Sequence, residues 1–377
     1  MDAFPSSRIH LLVTGVDYDG YTSRFWTYYR YSIRIVGVAI LITLIVTQLY
    51  SMAFLDNVVV INTGFIAIFL LELMSYIQMF SNSTPLSSMM KRTYATMDKE
   101  TITKIKSFDN RNTIAKLTYG LVVITAVVCY FMVTGVTHET AILTLGIKSD
   151  AGVDRLYFQL LFLAMSIAMS LFMLGLQFYI SILYFTVLFA GQVRKQIIRS
   201  TITRQLDYNM MRRSLEWYNS LVQAINAHAG FQPFSLLGTV FVGFANGISF
   251  LISSRTTLGM SPTLATLVVV PLNLLFMVLA YQLIELGSNA TRIMRSAWKI
   301  AEESVADPLS FQSFPADSVT AQKSLKFFLI TESVIPVKAV DTIVIDRSLI
   351  LNFFNQLIPF TVMMFTTLKE FDGKPHP

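Results

Sequence analysis

The stretch DRSLILNFFNQLIPFTVMMFTTLKEF, residues 346–371, decides how this chain is read. From Leu349 to Leu368 it carries no charged side chain, which is the length of about 20 residues that a helix needs to cross a bilayer. Yet Asn352, Asn355, Gln356 and Pro359 interrupt the apolar run. A carboxamide exposed to hydrocarbon is costly, so these residues must face protein or water. Asn352, Gln356, Met363 and Thr367 fall close to one helical face, as do Asn352, Asn355, Pro359, Met363 and Thr366 once a bend at the proline is allowed. Two readings of this wettable stripe stand level: a pore lined by several copies around an axis, or a polar contact inside a monomeric bundle.

The rest of the chain agrees that it lies in a membrane. Of 377 residues 54% are hydrophobic and 14% charged, with a mean hydropathy of +0.57, more apolar surface than one soluble core can hide. Long uncharged runs at about 35–55, 58–80, 114–135, 156–190, 233–252, 263–286 and 347–368 predict seven spans in an all-α membrane protein. The fourth run exceeds what a bilayer requires, so its end is expected to project into water. Residues 1–34 contain four arginines and no signal-peptide pattern.

Lysine and arginine fix the expected orientation, because short translocated loops avoid them. The N-terminal segment, the second and fourth loops and the segment before the seventh span together hold 22, among them Arg24, Lys91, Arg194 and Arg292. The opposite side holds five: Lys148, Arg155, Arg255, Lys369 and Lys374. The N-terminus is therefore expected in the cytoplasm and the C-terminus outside. The expected organisation is a cytoplasmic segment 1–34, spans one to four in 35–190 and a helical cytoplasmic extension 191–230. Spans five and six follow in 231–286, then a cytoplasmic anchor region 287–345, a seventh helix 346–370 and an external tail 371–377. A G-protein-coupled chemoreceptor, the alternative with seven helices, requires the opposite topology. A transporter of repeated halves finds no support, since no internal repeat or pair of broken helices is visible.

The basic segments carry helical periodicity. Ile197, Ile202, Leu206, Met210, Leu215, Tyr218 and Val222 recur near helical spacing, and Ile293, Met294, Ala297 and Ile300 share a face. Helices four and five are thus expected to extend beyond the membrane, and 313–335 reads as a further amphipathic helix before the seventh span. These segments are either solvated loop helices or a helical domain that holds subunits together.

Enzyme chemistry is not expected: there is no phosphate-binding loop, no dinucleotide turn, and His10, His138, His228 and His376 lie far apart. No cofactor or metal is implied. Cys129 is the only cysteine, so no disulfide forms within the chain. The sequons at Asn82 and Asn289 fall on the cytoplasmic side and should stay unglycosylated. Glu72 is the one acidic residue well inside a span. It either contacts a ligand or ion, or pairs with a basic residue near the interface. Gln48, Asn62, Gln159, Gln177, Asn246, Asn273 and Gln282 either line an aqueous pocket or hydrogen bond between helices.

The segment VKAVDTIVIDRSLILNFFNQLIPFTVMMFTT, residues 337–367, resembles the closing signature of the insect gustatory receptor family and its invertebrate relatives. That signature runs from an alanine through apolar-Asp-x-Ser-Leu-Leu to Thr-Tyr, five apolar residues and Gln-Phe. Here Ala339 and Ile345 to Ile350 match, Phe360 stands for the tyrosine and Thr361 to Phe365 for the five residues. Pro359, Thr366 and Thr367 depart from threonine, glutamine and phenylalanine, which marks a divergent relative. The resemblance implies a plasma-membrane chemosensory channel, expected in sensory neurons and involved in taste perception. It implies ligand-gated, non-selective cation conduction by a homo- or hetero-tetramer surrounded by lipid. It further implies a small-molecule tastant bound among the first six helices, an anchor from the cytoplasmic parts of helices four to seven, and a pore lined by the seventh. Residue by residue, Met363 falls at the hydrophobic gate and Thr366 and Thr367 at the outer mouth, with Asn352, Gln356 and Pro359 below them.

Overall fold

A computed structural model describes residues 12, 14–16, 23–54, 59–81, 83–112, 120, 151–203, 207–256, 262–306, 316–340, 342–349, 351–353, 355–356, 358–359 and 362–363. The chain is helical nearly throughout. Helix α1 spans Arg24–Phe54, α2 Val59–Ser81 and α3 Ser83–Thr96, and α4 covers 99–112. Then follow α5 (Ala151–Ile202), α6 (Tyr208–Ala229), α7 (Phe231–Thr256), α8 (Pro262–Ala306) and α9 (Ala316–Thr331). A short antiparallel pair joins β1 (Lys338–Ala339) to β2 (Ile343–Val344), in register Lys338 with Val344 and Ala339 with Ile343. Among the described residues from 347 to 363, all are helical.

Four described stretches are long and apolar enough to cross a membrane: Arg24–Tyr50, Thr63–Ser81, Ile167–Ile202 and Asn273–Ala306. The expected first, second, fourth, fifth and sixth spans fall within α1, α2, α5, α7 and α8. The third, 114–135, lies outside the described residues apart from helical Gly120. The chain is a multi-pass membrane protein, and its helices divide by what they face. In α5 78% of the apolar window is buried, in α1 only 28%, so α5 is the central pillar and α1 a peripheral helix. Ile35, Ile42, Val46 and Leu49 of α1 are exposed, while Leu41 and Leu44 on the other face are buried, the pattern of a helix with one side against lipid.

Beyond the pillar the chain turns back on itself. α5 runs unbroken to Ile202, and the extensions expected over 191–230 are the end of α5 and a separate helix, α6, rather than an extended fifth span. Asp207 starts α6, its carboxylate accepting from the Met210 N–H at 2.9 Å, which satisfies one orphan donor of a new helix. Of the expected face Ile197, Leu215, Tyr218 and Val222 are buried, together with Met211 and Ile225, whereas Ile202 is exposed and Leu206 lies outside the described residues. Met210 is only partly covered. α8 keeps the expected face, with Met294, Ala297, Trp298 and Ala301 buried. The amphipathic helix expected in 313–335 is α9, which rests Phe328 against Trp298 with ring centroids 5.3 Å apart.

Residues 14–16 are built into the bundle. Thr14 and Val16 are fully buried. Tyr76 donates its hydroxyl to the Thr14 carbonyl (2.8 Å), Arg34 Nε to the Gly15 carbonyl (2.9 Å) and Tyr29 to the Leu12 carbonyl (2.7 Å). Gly15 sits at φ +68°, and a Cβ there would stand 2.9 Å from the Arg30 carbonyl, so only glycine fits.

Candidate functional site

The seventh segment is seated by a device the sequence reading did not anticipate. Residues 333–338 run extended beside α6, and two asparagines two turns apart on its buried face grip them. Asn219 donates to the Ser333 carbonyl at 2.9 Å and accepts from the Ile335 N–H at 3.1 Å. Asn226 does the same to the Pro336 carbonyl at 3.1 Å and the Lys338 N–H at 3.0 Å. A carboxamide has both a donor and an acceptor, so it can satisfy an extended backbone on either side of one residue. Two further corners use this grip. Gln192 holds the Thr96 carbonyl and the Asp98 N–H, and Gln78 holds the Ala227 carbonyl and the Phe231 N–H. The signal in the sequence was an amide on the apolar face of an amphipathic helix.

The chain then crosses β1 and β2. Val340 adopts a positive φ of 51° at the turn and donates its N–H to the Gly230 carbonyl at 3.0 Å. Ile345 is fully buried against Gly287 of α8, where a Cβ would meet Ile345 Cγ2 at 2.9 Å. The next residues begin the terminal helix. Asp346 Oδ1 accepts from the Ser348 N–H (3.0 Å), the Ser348 hydroxyl (2.5 Å) and the Leu349 N–H (3.3 Å), the arrangement of an N-cap. Arg347 turns the other way, its Nη2 2.5 Å from Glu285 Oε1 and its Nε 3.1 Å from Oε2. The Asp-x-Ser run thus has a physical role: it starts the helix and pins its base to α8.

Above that base most of the described side chains are exposed, while Phe353 is half-buried against the core. Asn352, Asn355, Gln356 and Pro359 are exposed, and so are Leu351 (68%), Ile358 (61%), Val362 (57%) and Met363 (55%). Asn352, Gln356, Pro359 and Met363 share one helical stripe, as their spacing requires. Thr366 and Thr367 lie outside the described residues.

The polar residues of the other spans separate. Among the described residues Glu72 pairs with no basic side chain, contrary to one of the two expectations. It is 3% exposed, and among the described residues neither carboxylate oxygen has a hydrogen-bond partner. Gln48 and Gln177 are buried, and Gln282 is exposed. Asn273 of α8 reaches the Gly243 carbonyl of α7 at 3.4 Å, an interhelical bond. The side chains of Asn62, Gln159 and Asn246 lie outside the described residues.

No protein-family model and no curated protein sequence matches the chain. Among solved structures it is similar to the insect olfactory receptor OR5 from Machilis hrabei, with a TM-score of 0.69 over 95% of this chain and 96% of the other at 9% identity. The chain has the insect olfactory receptor fold. The same receptor in complex with eugenol superposes with a TM-score of 0.60 over 96% and 97% of the two chains at 12% identity. At this identity the likeness is one of architecture, kept by the pattern of apolar faces rather than by shared side chains.

Proposed function

We propose that the protein is a chemosensory receptor of the gustatory type, a ligand-gated, non-selective cation channel of the plasma membrane. In this reading four copies, identical or related, place their terminal helices around a central axis. Asn352, Gln356 and Pro359 line the lower pore, Met363 forms the gate, and Thr366 and Thr367 border the mouth. The observation that carries it is the terminal helix: its amide stripe is exposed within the subunit while Asp346 and Arg347 fix its base. In hydrocarbon such amides would be costly, so a stripe turned outward from the subunit calls for water or a neighbouring copy. A ring of methionine side chains closes a narrow passage by dewetting, and the amides below it favour hydrated ions.

The fold of an olfactory receptor, one form of which is in complex with eugenol, supports a small organic ligand for this chain too. The region 287–345, with α9, the extended segment and the hairpin, serves in this reading as the anchor between subunits. The test is cysteine accessibility in a Cys129→Ser background. Single cysteines at positions 352, 356, 359 and 363 should let a charged thiol reagent change the current in surface-expressed protein, and cysteines at Leu351 and Ile358 should not. Met363→Ser should raise the current without ligand. Equal modification at all six positions, with no effect on current, would reject the pore.

A further inference from the structure

We propose that the cavity around Glu72 is a binding site for one small monovalent cation, either Na⁺ or a proton carried with a water molecule. The cavity lies among α1, α2, α5 and α7, with a volume of ≈ 10 Å³. That is about the volume at which one water-sized particle fits. Four oxygen-bearing side chains line it: Glu72, Ser75 and Tyr76 of α2, and Gln232 of α7; the Tyr76 hydroxyl is engaged with the Thr14 carbonyl. Ser75 and Gln232 are each 1% exposed. Like the carboxylate oxygens, Ser75 Oγ and Gln232 Oε1 have no hydrogen-bond partner among the described residues. Three residues apart on one helix, Glu72 and Ser75 present their oxygens to the same side. Gln232 directs its amide nitrogen to Met79 Sδ at 3.1 Å, which leaves its carbonyl oxygen for the cavity.

Charge decides what binds there. An ionised carboxylate away from water needs a compensating charge. None comes from the surroundings among the described residues. Arg34 of α1 is spent on the Gly15 carbonyl and lies over the Phe80 ring at 5.1 Å. The titratable groups of the other elements here are Tyr76 of α2, whose hydroxyl serves Thr14, and Tyr179 of α5. α7 carries only Arg255, near its far end. The compensating charge is therefore mobile. The Met79 thioether that also lines the cavity is taken by the Gln232 amide, so the open donors are oxygens, which select a hard ion over a soft one; one carboxylate balances a single positive charge, and the volume admits one such ion without its hydration shell. Leu41, Ala168 and Phe172 close the remaining walls. Because α2 and α7 both supply donors, occupancy ties these two helices together. This site is independent of the proposed pore.

The test is thermal unfolding of the whole protein in lipid nanodiscs, with NaCl replaced by choline chloride at constant ionic strength, at mildly acid and mildly alkaline pH. At alkaline pH the wild type should melt about 2 °C or more higher in Na⁺ than in choline, and Glu72→Gln should melt alike in both. A wild type that responds to pH but equally in Na⁺ and choline, with the response lost in Glu72→Gln, assigns the site to the proton. Ser75→Ala removes a donor and keeps the charge, so it should need more Na⁺ or a lower pH for the same stabilisation, and it serves if Glu72→Gln does not fold. A wild type indifferent to both Na⁺ and pH, or a Glu72→Gln protein that responds as the wild type does, overturns the proposal.

Discussion

Arg347 and Glu285 meet through two nitrogen–oxygen contacts, 2.5 and 3.1 Å long, across 62 residues of sequence. The pair is the one ionic tie between the terminal helix and α8 among the described residues. Arg347 is 57% exposed, so water screens the pair and its contribution to stability should be small. Its effect on position should be larger. Arg347→Glu sets two carboxylates against each other at the helix base, and the exchange Glu285→Arg with Arg347→Glu should restore the tie. A double-mutant cycle on ligand-free current and on melting temperature checks this. Current altered by each single variant and recovered in the exchange is the expected result.

Asp346 caps the same helix, and its removal acts differently. Asp346→Ala should cost about 1 kcal/mol, the usual loss for an N-cap, while Asp346→Asn should stay within a few tenths of the wild type. Amide exchange at Ser348 and Leu349, whose N–H groups the carboxylate receives, reads the loss directly.

The paired asparagines predict a local opening. Asn226→Ala leaves the Pro336 carbonyl and the Lys338 N–H without their partner, at a cost of about 1–3 kcal/mol for the buried groups. Hydrogen exchange should quicken at Lys338 and stay slow at Ile335, which Asn219 still holds. Asn226→Asp keeps the acceptor for the Lys338 N–H and loses the donor to the Pro336 carbonyl, so Lys338 should exchange more slowly than in Asn226→Ala.

Asp98 gives a pH signature outside the membrane. It caps α4, accepting from the Thr101 N–H at 2.6 Å. Its pKa is lowered first by the side-chain and backbone hydrogen bonds of Thr101, and then by Lys195 and Lys104. A carboxyl whose folded pKa lies below its unfolded value stabilises the fold above the ordinary aspartate range. That contribution is lost as pH falls through the folded value. Exchange of the first amides of α4 should therefore speed up on acidification, and Asp98→Asn, which caps without titrating, should flatten that response.

Much of this architecture was legible because hydrocarbon imposes length and apolarity, so the uncharged runs in α1, α2, α5, α7 and α8 could be read from composition alone. The break after Ile202 was not, since apolar spacing continues across it. Only the Asp207 cap, acting through a backbone bond three residues on, marks the new helix. At the terminal helix the stripe from Asn352 to Met363 followed from spacing, but what seats it did not. Asn219, Asn226 and Glu285 lie 62 or more residues from the segments they hold, and a single sequence carries no sign of pairings at such range. Glu72 was visible as an anomaly. Its company, Ser75 and Gln232, required the packing of α2 on α7.

Helix α5 has 52 residues and no proline, which makes it about 78 Å long, more than twice the thickness of a bilayer's hydrocarbon core of about 30 Å. An unbroken hydrogen-bond ladder of that length bends only gently. It gives the molecule one stiff rod that joins the region among α1, α2 and α7 to the corner where Gln192 holds Thr96 and Asp98.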